Sequence, residues 1–193
     1  MDLEQFQAMN GCSIKAIYLN LLGTFQKVPW RKLFCNNYGA EKWIFIVRLA
    51  ALERLYTKNR LVGWGMGISL GCVLCISGCE SLPHLFFECP FSAELWHSLL
   101  RWLGITRKVL PWREELAWIN SNVKGKGAAV IIFRMATACC IYHLWQEKNW
   151  WIFQHKSKSV QAICRIIVQE IFFRGQKLSK VASKLQALNF YPM

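Results

Sequence analysis

Residues 72–89 read Cys72-Val-Leu-Cys75-Ile-Ser-Gly-Cys79-Glu-Ser-Leu-Pro-His84-Leu-Phe-Phe-Glu-Cys89. The pattern within it is C-x2-C-x8-H-x4-C. Three thiols and one imidazole make a closed set of four soft and borderline donors, which suits a structural zinc ion and leaves no position for a reacting water. A two-residue spacer lets both thiolates of a knuckle turn toward one ion. Gly71, Gly78 and Pro83 supply turn-prone backbone around it. Free cysteines also serve as small apolar core residues, and one CxxC alone would not separate the two readings. The His and Cys that follow at this spacing favour zinc. Cys79 lies between the ligand pairs and is expected to be a spectator.

Downstream of the cluster, Cys89-Pro90 predicts a helix start, because proline fits the first helical position at no cost in hydrogen bonding. Phe91, Leu95, Leu99 and Leu103 repeat at four-residue steps, with Trp96 and Leu100 beside them, and Gly104 is the expected C-cap. His97 is a rival ligand, but it falls about two turns into this helix. Further on, a short helix is expected over 114–120. Residues 128–145 form a strongly apolar run interrupted by Arg134 and His143. It is barely long enough to span a bilayer core of about 30 Å, and a buried central helix is the better reading. Residues 157–188 predict one long helix with an apolar stripe (Val160, Ile163, Ile167, Ile171, Leu178, Val181, Leu185). Beside the stripe runs a basic row of Arg174, Lys177, Lys180 and Lys184.

Upstream, Ser13 can cap a helix carrying Ile14, Ile17, Tyr18, Leu21 and Leu22. The run from 30 to 61 reads as helical, with aromatic and aliphatic residues interleaved with Arg48, Arg54, Lys58, Arg60 and other bases, and Thr57 can open a further short turn before the glycines at 63, 65, 67 and 71. Such a helix could lie along phosphates, or it could be a core helix with a solvated basic face. Gly63-Trp-Gly-Met-Gly67 resembles a phosphate loop only superficially, since no Lys-Ser or Lys-Thr follows. The fold class expected is mainly α: a helical domain around a small zinc-binding loop. The expected segments are 1–70, 71–104 and 105–193, within one continuous domain.

The chain has 193 residues, enough to bury a real core, and is 54% hydrophobic, which argues against disorder. Ten Trp imply large buried rings, exposed stacking surfaces, or both. The net charge of +13 favours acidic partners such as nucleic acid. From Asn120 onward eleven Lys and Arg stand against Glu147 and Glu170 alone. The nine Cys cannot all pair within the chain. The opening Met-Asp-Leu-Glu-Gln has neither the basic nor the apolar region of a secretory signal. Both features point to an intracellular, reducing location, cytoplasmic or nuclear.

Cys72-x-x-Cys75, Glu80-Ser81, His84-Leu-Phe-Phe-x-Cys89-Pro-Phe-Ser92 and Trp96 together resemble the zinc-binding domain that follows the reverse transcriptase of plant non-LTR (LINE-type) retrotransposons. Ser13-Ile-Lys-Ala-Ile-Tyr18, Trp30-Arg-Lys-Leu-Phe34, Leu55-Tyr-Thr-Lys-Asn-Arg-Leu61 and Leu144-Trp-Gln-Glu-Lys-Asn149 with Ile152-Phe153 resemble its other segments, in the same order. The resemblance implies zinc ligands at Cys72, Cys75, His84 and Cys89. It also implies a parent polyprotein with endonuclease and reverse transcriptase domains. One stretch departs: residues 40–50 lack the proline and small polar residues usual in the family, so the helix there is expected to start differently.

Two classes of function follow. One is a zinc-stabilised, non-catalytic accessory module that binds RNA or DNA, with a reverse transcriptase core as a possible partner in trans and no membrane. The other is an orphan retroelement fragment that acts as a protein-interaction module or retains no activity. An enzyme is disfavoured. Asp2 is the only Asp in the chain, and two-metal phosphoryl transfer uses clustered carboxylates. The vicinal Cys139-Cys140 pair reads as inert core.

Overall fold

The computed structural model describes residues 29–35 and 37–188. The helix expected over 13–22 lies outside them. In chain order the elements are a 3-10 turn (Pro29–Leu33), α1 (Glu41–Ala51), α2 (Lys58–Gly63), a π turn (His84–Glu88), α3 (Pro90–Trp102), α4 (Trp112–Asn122), α5 (Ala128–Gln154), α6 (Val160–Gly175) and α7 (Ser179–Gln186). No strand occurs among the described residues; Gly71 and Cys79 form an isolated antiparallel bridge. The fold is mainly α, as the three- and four-residue spacings predict.

The core is organised on α5, whose 27 residues span about 40 Å. Residues 131–141 are all buried. A helix apolar on every side is stable in water only when other elements cover it, and α1, α3, α6 and α7 do so. By length and composition α5 could cross a bilayer; here it is the central helix of a packed bundle. Its polar interruptions have partners. Arg134 donates to the Val123 carbonyl at 3.4 Å, and His143 meets Glu170 on α6 at 2.8 Å. Burial holds the Arg134 guanidinium below its ordinary pKa.

Helix α3 begins with Pro90 at its first turn and ends before Gly104, whose φ of +74° is the left-handed conformation a helix stop requires. It buries Leu95, Trp96, Leu99, Leu100 and Trp102. Trp96 Nε1 donates to Glu115 Oε1 at 2.9 Å. Glu115, fully buried on α4, is paired with Arg107 and also accepts from the Leu110 amide at 3.2 Å. Helix α4 is longer at both ends than the 114–120 expected. Pro111 sets its start, and Glu114 and Glu115 in the first turn suit the positive end of the helix dipole.

Two expectations are corrected. The run from 30 to 61 is not one helix. It is the 3-10 turn, α1 and α2, broken after Ala51, where Glu53 takes a φ of +53°. Helix α1 starts at Glu41 behind Ala40, which has extended backbone and no capping side chain. The C-terminal helix is likewise two. Ser159 caps α6 by accepting from the Ala162 amide at 3.2 Å, and α6 ends at Gly175. A Cβ at Gly175 would overlap Leu185 and crowd Val181; the bare backbone there is what lets α7 fold back. Val181 and Leu185 are buried as the stripe predicts, but on the returning helix.

Candidate metal centre

Two short segments build the site. In the first, Cys72 accepts at its carbonyl from the Ile76 amide at 2.9 Å and donates its own N–H to Gly78 at 2.6 Å, closing the knuckle. The left-handed residue of this turn is not a glycine. Ile76 carries φ +64° with its side chain 86% exposed, a strained choice for a β-branched residue. Gly78 serves a different end. A Cβ there would lie 2.5 Å from Cε1 of His84, so the missing side chain makes room for the ligand ring.

The second segment is the π turn. The Cys89 amide donates to the His84 carbonyl five residues back at 2.6 Å. This closure returns Cys89 beside His84 and points both donors the same way. Between them Leu85, Phe86 and Phe87 enter the core. The Phe87 ring stacks on Trp112 at 5.5 Å and lies 5.6 Å from Trp96. The six residues 84–89 therefore carry two of the donors and plug the loop into the helical bundle.

The donor atoms of Cys72, Cys75, His84 and Cys89 all lie within 4.8 Å of one another, with Cys75 Sγ and His84 Nε2 3.3 Å apart. A tetrahedral zinc ion with Zn–S of about 2.3 Å and Zn–N of about 2.0 Å would separate its donors by roughly 3.5–3.8 Å. The set fits such an ion with shifts of no more than about an ångström. The hydrogen bond with Cys89, and then burial, raise the Cys72 thiol far above its ordinary pKa, while the same bond draws Cys89 down. Thiols this close cannot all ionise unaided, and a divalent cation is the charge that lets them. These four residues are the ones that could hold a zinc ion, and with all four positions filled by protein its part would be structural. Cys79 is exposed and His97 is exposed on α3; neither joins the cluster.

A buried ion pair ties the loop to the core. Lys148 on α5 meets Glu80 at 2.9 Å, with side-chain exposures of 3% and 0%. Lys148 also donates to the Tyr56 carbonyl at 2.9 Å, and Glu80 accepts from the Lys58 amide at 3.0 Å. Burial lowers the Lys148 pKa, and Glu80 offsets part of that shift. One residue along, buried Glu147 accepts from the Lys158 amide at 2.5 Å and fixes the turn into α6. Sequence reasoning did not find this pair. The signal was present in two segments of the resemblance, one carrying Glu80 and the other Glu147-Lys148, but nothing local says that they meet.

The basic residues singled out from sequence are dispersed. Arg48 at the end of α1 and Arg54 after it are exposed. Lys58 Nζ donates to the Gly71 carbonyl at 2.6 Å and so braces the zinc loop. The Arg60 guanidinium lies 5.1 Å from the Trp64 ring centre. Arg174, Lys177, Lys180 and Lys184 are all exposed, but the break after Gly175 divides them between two helices and the link. Arg174 lies 5.3 Å from the Trp43 ring centre and Lys177 4.6 Å from that of Phe173. The ten Trp serve both roles considered for them: Trp43, Trp96 and Trp112 are fully buried, while Trp64 is 58% exposed.

Residues 12–96 match the family model described as zinc-binding in reverse transcriptase. No curated protein and no solved structure gives a significant match. The matched stretch contains all four clustered donors, and the donor set is that of a Cys3His zinc site. Residues 12–96 are therefore similar to the zinc-binding domain found in reverse transcriptases.

Proposed function

We propose that the chain is a zinc-stabilised, non-catalytic module that binds single-stranded nucleic acid, derived from the polyprotein of a plant LINE-type retrotransposon. The observation that carries this reading is a band of exposed aromatic and basic side chains beside the zinc loop. Tyr56 and Trp64 meet edge to face at 5.6 Å, and both are more than half exposed. Arg60 lies over Trp64. Exposed rings stack on bases while Arg and Lys follow phosphates, and each stacked base contributes about 1–3 kcal/mol. Arg48, Arg54 and the bases of α6–α7 extend the positive surface available to a strand. A reverse transcriptase core acting in trans is the partner this role requires.

A second reading rests on the groove next to this band. Leu61, Met66, Ile68, Trp145, Ile152 and Phe153 line a cavity of about 680 Å³. An apolar floor of that kind also suits a protein segment, which is the interaction-module reading. Binding to single-stranded RNA, single-stranded DNA and duplex across a salt series separates the two. The nucleic-acid reading expects affinity that falls steeply with salt, by a log–log slope of about 0.7 per phosphate neutralised on single strands. It expects weaker binding in Trp64→Ala. It also expects a slope flattened by up to about four contacts when Arg174, Lys177, Lys180 and Lys184 are all changed to Gln. No binding at low salt would reject it in favour of the second.

A further inference from the structure

A second cluster of metal-ligating side chains lies on the core helices, and the zinc loop uses none of it. Cys139 and His143 stand four residues apart on α5, so both project from one helix face. Glu170 reaches them from α6. The three donor atoms lie within 4.8 Å of one another. His143 Nε2 is 2.8 Å from Glu170 Oε2, and Cys139 Sγ is 3.4 Å from the same oxygen. We propose that Cys139, His143 and Glu170 form a second, three-ligand site for a zinc-class divalent cation.

Four features support the assignment. The first is the spacing, since donors at i and i+4 on one helix turn chelate a single ion, as in helical two-histidine zinc motifs. The second is charge. A thiolate and a carboxylate neutralise a divalent ion, so the loaded site adds no net charge to an apolar core, where a net charge is costly. The third is donor chemistry: sulfur, imidazole nitrogen and carboxylate oxygen are the three zinc donors. The fourth is access. Cys139 is fully buried and His143 8% exposed, whereas the Glu170 side chain is 34% exposed. Glu170 also lines a surface pocket of about 370 Å³ together with Lys42, Gln169 and Arg174.

Binding exchanges the protons now shared in the cluster for the ion. Tetrahedral zinc would set the nitrogen–oxygen separation at roughly 3.3–3.5 Å, so that distance opens by about half an ångström while sulfur and oxygen already stand at a suitable spacing. Three protein ligands leave one position for water or a small anion. Lys42 and Arg174 line the same pocket and repel a cation, so this site binds more weakly than the Cys3His site and empties first.

The test is zinc titration of the full chain, with bound metal counted by elemental analysis after desalting. Two zinc ions per chain are expected at saturation, one of them removed first by a mild chelator. Glu170→Gln, at a partly exposed position, and His143→Gln should each lower the count from two to one. Cys89→Ser should remove the other ion. With cobalt in place of zinc, Cys139→Ser should delete one thiolate-to-metal absorption band while the three-thiolate bands persist. A folded Glu170→Gln chain that still binds two ions, or a wild-type chain that never binds more than one, would overturn the proposal.

Discussion

The zinc loop and the α5 core are built by different forces. Between residues 71 and 89 the backbone makes one isolated bridge, one π turn and a knuckle. What converges there is four donor atoms. Around α5 the chain makes long helices whose buried faces interlock, and the few polar groups that enter meet a side chain or the backbone, as His143 meets Glu170 and Arg134 the Val123 carbonyl. Loop order is therefore expected to depend on a cation, and helix order on burial. Phe86 and Phe87, and the Glu80–Lys148 pair, join the two regimes. A loop that small could not fold on apolar burial alone, and a bundle that apolar has no need of a metal.

The largest effect expected from breaking this contrast is loss of a ligand. Cys72→Ser, Cys75→Ser, His84→Ala and Cys89→Ser should each lower the zinc content by one ion per chain, read by elemental analysis. Structural zinc contributes on the order of 10 kcal/mol to the folding of small modules, so these variants should disorder the loop while circular dichroism remains helical.

The next effect falls on the joint. Lys148→Met leaves the fully buried Glu80 without its ion partner, held only by the Lys58 amide, with its Oε2 already lacking a hydrogen-bond partner. Breaking one side of such a pair costs about 3–5 kcal/mol, whereas replacing both sides costs far less. Urea unfolding of Lys148→Met and of the Lys148→Met/Glu80→Gln double variant should show the loss and then a substantial recovery. Equal destabilisation by both would mean that the pair does not hold the two regions together.

Smaller effects sharpen the picture of the loop. Gly78→Ala drives a methyl into the His84 ring. It should weaken zinc binding about 10–100-fold, the usual consequence of disturbing a ligand's supporting shell, as read by competition with a chromophoric chelator. Cys79→Ser should do almost nothing. Its thiol is exposed and outside the cluster, so metal content should hold and stability should stay within about 0.5 kcal/mol.

These cases also show what the sequence made legible. Ligand spacing is a local property, so the four donors could be named from residues 72–89 alone. Helix periodicity is local as well, which is why α3, with Pro90 and Gly104 at its ends, was predicted almost to its bounds. Close approach is not local. Gly175 looked like an interior helix residue, and only the returning Leu185 explains why the helix stops there. Gly78 looked like a turn residue, yet the left-handed φ belongs to Ile76 and Gly78 makes way for the ligand ring. Lys58 stands in a basic run whose sequence says nothing of the Gly71 carbonyl that its Nζ meets in the fold. Cys139 and His143 share a visible i,i+4 spacing, but their partner Glu170 is brought in only by the packing of α6 on α5.

The most direct test of the central claim, that metal orders the loop while burial orders the bundle, is amide hydrogen exchange with and without a strong zinc chelator under reducing conditions. With zinc, the amides of Cys72, Glu80 and Cys89, each hydrogen-bonded in the folded loop, should be protected along with those of α5 and α6. After chelation the loop amides should exchange freely while the buried stretch of α5 keeps its protection. Loop protection that survives complete removal of the metal would contradict the account, as would loss of protection in loop and bundle together.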